Sequence, residues 1–393
     1  MFSNYFNPVD KDIVDFKKQL NQNQLGFSIK CYDTVSFPDI DHADIALIVV
    51  PENRGSIKKL EKSSYVEFRK SFYSLFRGNW NFRIIDFGNL KSGDEIKDTY
   101  FALTDIISNL LSQSVFPVVL GGTSDLIYPI YLGYESFGKG VNLLSVDAKF
   151  DLIDTDLSEI SSTNYLGYIL KKEPNHLSHF TNLGYQSYLC QNDESHLLEK
   201  MLFESCRLGI LRQNIKETEP YLRNSDIVGV DLSSIKQADA PATTSPSPNG
   251  LESHHICAIA RYIGMSDRVS SYGIFEFDYL KDNSSQTSNL ISQMIWYFLE
   301  GFSLRINDYP SSKTINMNYQ KYLIPVKDSD LQFVFYKSKN SGRWWVSSSM
   351  EFDEDTNYKE KIVPCSYEDY LNTISGDIPT RIFRILKSMS TNG

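Results

Sequence analysis

Short, almost unbroken apolar runs recur along the chain at Ile45–Val50, Phe82–Asp86, Phe116–Leu120, Val141–Val146, His179–Gly184, Asp226–Val230 and Tyr272–Glu276. Runs without polar alternation suit strands covered on both faces, as in a parallel sheet between helical layers. Between them, Asp98–Gln113, Glu194–Asn214, Ser253–Gly264 and Ser288–Phe302 carry apolar residues at helical spacing. The alternation predicts an α/β fold of three layers around a central, mostly parallel sheet.

The pattern changes near Tyr319. Leu331–Tyr336, a polar turn at Lys339–Gly342, and Arg343–Val346 read as a β-hairpin, and Ser366–Leu371 and Pro379–Leu386 as short helices. The chain thus divides into an N-terminal extension (1–44), an α/β domain (45–318) and a small C-terminal appendage (319–393). In the hairpin Trp344 and Trp345 point to opposite faces, one toward the core and the other free for a protein partner. The stretch Ala238–Gly250 has the small-residue, Pro and Gly composition of a linker, yet it follows a strand and precedes a helix. That placement suits an ordered loop walling a crevice.

Composition narrows the function classes. The 393 residues carry a net charge of −10, which speaks against nucleic acid or an anionic membrane as a general partner. Cys31, Cys190, Cys206, Cys257 and Cys365 are scattered and odd in number, as expected of reduced thiols. No apolar run approaches the roughly 18 residues of a membrane span. The first residues lack a signal-peptide pattern, so a cytoplasmic location is expected.

Ligand sites in such sheets lie beyond the carboxyl ends of the strands. Gly121-Gly122, Asp147–Asp151, Asp231 and Glu276 all fall there. These blocks resemble, in order, those of the ureohydrolases (arginase, agmatinase and formimidoylglutamase). Leu120-Gly-Gly-Thr-Ser124 stands where that family has Gly-Gly-Asp-His, and Asp147-Ala-Lys-Phe-Asp151 where it has Asp-Ala-His-x-Asp. Asp231-Leu-Ser233 followed by Asp239-Ala-Pro241 is similar to its Asp-x-Asp and the loop behind it. Phe275-Glu276-Phe277, with Asp282 and Thr287, is similar to its Glu-Val-Asn-Pro segment and the next helix start. Pro51-Glu-Asn-Arg-Gly55 looks most like formimidoylglutamases.

The resemblance implies an arginase-type fold and a site in which two manganese ions share two histidines and four aspartates. Carried over residue by residue, those positions are Ser124, Asp147, Lys149, Asp151, Asp231 and Ser233. Both histidines and one aspartate are replaced. A lysine ammonium donates hydrogen bonds and offers no lone pair to a metal. One ion position keeps Ser124, Asp147, Asp151 and Asp231, an all-oxygen set suited to a hard cation. The other keeps only Asp147 and Asp231, beside Lys149 and Ser233.

Two expectations follow. The first is a protein without a cofactor, inactive or strongly altered as a ureohydrolase, with Lys149 neutralising the aspartates in place of metal. Asp147, Lys149 and Glu276 would line the former catalytic site. Such a protein would bind a small guanidino or formimino ligand through Ser124, Lys149, Ser233 and Glu276, or a protein partner through the appendage. It could also assemble with copies of itself. The second is a C–N hydrolase using one Mg²⁺ or Mn²⁺ on Asp147, Asp151 and Asp231. In the family Glu276 would read the substrate's amidine group; on its own it reads as a solvent-facing carboxylate or a partner of Lys149. Asp125 reads as the cap of the following helix, or else as a replacement ligand. His254 and His255, adjacent on a helix, point about 100° apart and read as structural. So do His176 and His179 near a strand start.

Overall fold

Alternate residues of one buried strand feed two separate cores. In β3 (Ile45–Val49) the side chains of Ile45, Leu47 and Val49 enter one, while Ala46 and Ile48 enter the other. β5 (Phe116–Leu120), β6 (Val141–Val146), β9 (Ile227–Asp231) and β10 (Ser271–Phe275) are, like β3, buried at every position. The computed structural model describes residues 2–56, 64–152, 159–311, 313–325, 332–348, 362–379 and 382.

The main sheet is completed by β1 (Phe6–Asn7), β2 (Lys30–Cys31), β4 (Ile84–Leu90), β7 (Leu177–Tyr185) and β8 (Glu204–Arg207). Its order is β1-β4-β3-β5-β10-β9-β6-β7-β8, with β2 also paired to β4. Every pairing is parallel except that of β1 with β4. The expected mostly parallel sheet is therefore present. β5 and β6, consecutive in the chain, are separated by β10 and β9. The connections after them part at that point, which opens a crevice at the carboxyl ends of the central strands.

Helices Ser253–Met265 and Gln286–Phe302 cover one face, and Ile96–Ser112 the other. The first two approach backbone to backbone. A Cβ on Gly264 would lie 2.1 Å from the Phe298 carbonyl oxygen, and one on Gly301 2.1 Å from that of Arg261. No helix among the described residues is long and apolar enough to cross a membrane.

Three expectations change. The N-terminal extension is not separate from the domain, because β1 and β2 pair onto β4. The helix expected over Glu194–Asn214 is split into Asn192–Lys200, strand β8 and Leu208–Gln213. Leu202 takes a φ of +59°, which a helix cannot accommodate. Finally, both hairpin tryptophans are buried.

The hairpin itself is β12 (Gln332–Ser338) against β13 (Trp344–Ser348). With β11 (Tyr319–Pro325) and β14 (Val363–Cys365) it forms an antiparallel sheet ordered β11-β12-β13-β14. Trp345 is fully buried, with the Arg223 guanidinium 4.4 Å from its ring centre. Arg223 also donates to the carbonyls of Trp344 (2.9 Å) and Cys365 (3.1 Å), fastening the sheet to the domain. Trp344 is covered from the other side by Tyr370, stacked at 4.6 Å, so it offers no free indole. Tyr370 lies on helix Tyr367–Ile374, started by the Ser366 hydroxyl accepting from the Asp369 amide. The expected helix at Pro379–Leu386 falls mostly outside the described residues.

Candidate functional site

Four strands deliver the site. After β5 the chain turns through Gly121 (φ +104°) and Gly122 (φ +69°), where a Cβ would strike Tyr65 or the Glu52 carbonyl. The turn brings Ser124 beside the end of β9, its hydroxyl 3.4 Å from Asp231 Oδ2. Asp147 directly follows β6, and Glu276 directly follows β10. Asp151 (φ +50°) and Glu276 (φ +67°) both hold left-handed backbone, a conformation that non-glycine residues keep only when neighbouring contacts impose it.

The carboxyl groups of Asp147, Asp151 and Asp231 present oxygens that all lie within 4.8 Å of one another, and all three residues are buried. Packed this closely, the Asp147 and Asp151 carboxyls each oppose ionisation of the other. Asp147 also accepts from the Lys149 amide at 2.9 Å. Asp231 accepts from the Ser233 amide at 2.6 Å and from the Ser233 and Ser124 hydroxyls. Ser124 and Ser233 thus serve Asp231 as donors.

Burial dominates the electrostatics. It pushes Asp147 well above the usual carboxylate range, with the charges of Asp151 and Asp231 adding to the effect. Asp151 is pushed up to about 8 by burial, against the opposing hydrogen bond from Asp147. Asp231 is raised by burial, partly offset by Ser233. Lys149 is half-buried, and its ammonium favours ionisation of Asp151 and Asp231 across space. Among the described residues it closes no salt bridge with either. Lys149 therefore acts on these carboxyls only across space, and burial outweighs it.

Glu276 is only 4% exposed, so the solvent-facing alternative fails. Oε1 accepts from the Ser124 amide at 2.9 Å and Oε2 from the Thr244 hydroxyl. Burial and the neighbouring Asp231 raise its carboxyl to about 8. Thr244 went unrecognised in the sequence because its segment has linker composition. That segment is ordered: Thr244 N–H donates to the Glu276 carbonyl at 3.2 Å, and Asp278 N–H to the Ala242 carbonyl at 3.1 Å.

Asp125 does not cap the following helix. It is fully buried and accepts from the Tyr100 and Thr123 hydroxyls, with Gly55 packed against its carboxyl. Its pKa rises to about 6, mainly through burial. Two other acidic residues do cap helices. Asp239 accepts from Ser253 N–H at 2.6 Å, and Asp282 from Thr287 and Ser288 N–H at 2.9 Å each.

His176 and His179 lie at the amino end of β7, away from the crevice, and His179 pairs with Glu204 at 2.9 Å. His254 and His255 do not point apart. Their rings lie 4.0 Å from each other, and with Glu252 they gather within 4.8 Å. However, Glu252 is already paired with Lys236 (3.1 Å) and Arg212 (3.5 Å). The group also sits at a helix N-terminus, whose positive end opposes a cation. It remains structural.

A dinuclear metal centre does not fit this donor set, because Ser124, Lys149 and Ser233 supply no imidazole or carboxylate. A single hard cation finds three converging carboxylates.

Comparison with known proteins agrees with this fold. The arginase family model matches residues 57–300. Formimidoylglutamase of Geobacillus sp. (strain WCH70) is 25% identical over 221 residues, covering 54% of this chain and 68% of that protein. That of Staphylococcus aureus (strain JH9) is 24% identical over 258 residues, covering 63% and 81%. The crystal structure of Trypanosoma cruzi formiminoglutamase with Mn²⁺ superposes with a TM-score of 0.60 at 18% identity, over 69% of this chain and all (100%) of that one. Formimidoylglutamase of Bacillus subtilis gives 0.60 at 19% identity, over 75% and 99%. The chain is a member of the arginase family, close in sequence and fold to the formimidoylglutamases.

Proposed function

We propose that this protein is an inactive or strongly altered ureohydrolase relative that uses the crevice, or its appended sheet, for binding. The reading is supported by the residue correspondence, which puts Ser124, Lys149 and Ser233 at three of the six family ligand positions, and by the through-space effect of the Lys149 charge on Asp151 and Asp231. Paired divalent ions generate the attacking hydroxide in dinuclear hydrolases. A lysine offers charge without a lone pair, so it supports the fold of the site and no hydroxide. The crevice ligand would be a small guanidino or formimino compound meeting Lys149 and Ser233 at its wall. The appendage is the candidate surface for a protein partner.

The converging oxygens of Asp147, Asp151 and Asp231 favour a second reading, a hydrolase with one Mg²⁺ or Mn²⁺. The triple substitution Ser124→His, Lys149→His and Ser233→Asp separates the two. On the first reading the parent protein does not hydrolyse formimidoylglutamate, and the folded triple variant takes up manganese that the parent does not. Turnover by the parent with one metal ion per chain would support the second. A folded triple variant that takes up no metal would refute the residue correspondence itself.

A further inference from the structure

The appended sheet is held to the domain at one edge and open at the other. β14 meets Arg223, which donates to the Cys365 carbonyl at 3.1 Å, while among the described residues no strand pairs with the outer edge of β11. Lys339 N–H donates to the Asn318 carbonyl at 2.9 Å, in the register that pairs Tyr319 with Ser338. Bonding alternates along an antiparallel pair, so the even-numbered residues of β11 bond to β12 and the odd-numbered ones face the open edge. The backbone groups of Tyr319, Lys321, Leu323 and Pro325 therefore point outward. Proline has no N–H to leave unpaired there, which suits an edge. Lys321 and Leu323 are exposed, Leu323 by 59%. Such a row of unpaired backbone groups is a template for another strand.

The side chains favour one occupant. Val363, Val346, Phe335 and Tyr322 stand opposite one another across β14, β13, β12 and β11, on the face that forms one apolar cluster. The row ends at the open edge with Tyr322, which is also the midpoint of the strand Tyr319–Pro325. A two-fold axis perpendicular to the sheet sets one residue opposite its own copy. Placed at Tyr322, it overlaps the whole strand, and the apolar row continues into the second copy. Lys321, the one charged residue of the strand, then faces Leu323 of the second copy. An axis at Lys321 would instead oppose two ammonium groups. Helix Tyr367–Ile374 reaches over this edge, with Tyr370 5.4 Å from the Tyr322 ring. It leaves Tyr367, Leu371 and Ile374 exposed at the spacing of one helix stripe. The axis keeps both copies of that helix on the same face of the joined sheet.

We infer that the open edge of β11 joins two copies of this chain, antiparallel about Tyr322, into one continuous sheet. Lys321 of each copy exchanges backbone hydrogen bonds with Leu323 of the other, and the two Tyr322 residues form a pair without them. This rests on the proposed function only in taking the appendage as the partner surface, and it supplies that partner.

Sedimentation of the full-length protein tests it. Lys321→Pro and Leu323→Pro each remove an outward N–H and leave the bonds to β12 in place. Each variant should show half the mass of the parent assembly. Tyr322→Cys, once oxidised, should give a chain-to-chain disulfide that the parent lacks, because the Cα atoms of such a pair lie about 4.5 Å apart. Reduction should release it. A monomeric parent, or folded proline variants that keep the parent's mass, would overturn the inference. Should both proline variants fail to fold, absence of the Tyr322→Cys cross-link would do the same. Metal uptake by the triple variant is a separate readout, so failure here and failure of the crevice reading are told apart.

Discussion

Two groups of buried carboxylates in this molecule are stabilised in opposite ways. Asp86, on β4, is fully enclosed together with Arg69. The guanidinium meets it at 2.8 and 3.1 Å, while the Tyr73 hydroxyl and the Gly88 amide each donate at 2.8 Å. The crevice carboxylates, Asp147, Asp151, Asp231 and Glu276, have amide and hydroxyl donors and a through-space lysine, but among the described residues no such guanidinium. A structural carboxylate comes with its counter-charge. A buried cluster of like charges without one has its pKa values raised instead.

The sharpest way to break this contrast is to remove each counter-charge. Arg69→Met leaves Asp86 buried and unpaired, and should cost about 3–5 kcal/mol in chemical denaturation. Asp151→Asn should do the reverse. The folded Asp151 carboxyl binds its proton more tightly than the unfolded chain does, with a pKa of about 8. Its contribution is therefore fully present at acid pH and is lost as pH climbs through about 8. Without metal, the parent should lose about 2–3 kcal/mol of stability relative to the Asn variant between pH 6 and pH 8.5. Denaturation midpoints of both proteins at the two pH values check this, and an unchanged difference would contradict the raised Asp151 pKa. Lys149→Met should have the smallest effect, about 0.5–1 kcal/mol of destabilisation at pH 8.5, because its half-buried ammonium is partly screened.

Much of this site was legible in the sequence because strand ends are legible. Buried β-branched runs locate β6, β9 and β10 within a residue or two, and the aspartates and Glu276 follow from those ends. The two-residue strands β1 and β2 carry no period to read, and β8 interrupts what looked like one helix. Asp125 looked like a cap because its fate depends on Tyr100 and Gly55, distant in sequence. Thr244 was hidden for the same reason: tertiary pairing across the crevice gives it its role. One hairpin tryptophan was expected to be free because alternation in a hairpin cannot foresee a helix, Tyr367–Ile374, folding back over the second face at Trp344.

Metal stoichiometry tests the central claim most directly. The protein, equilibrated with excess Mn²⁺, freed of unbound ion and subjected to elemental analysis, should retain at most one ion per chain, since the proposed correspondence puts Lys149 and Ser233 at the second position. Retention of two ions per chain would contradict the substitution of that metal by a side-chain cation.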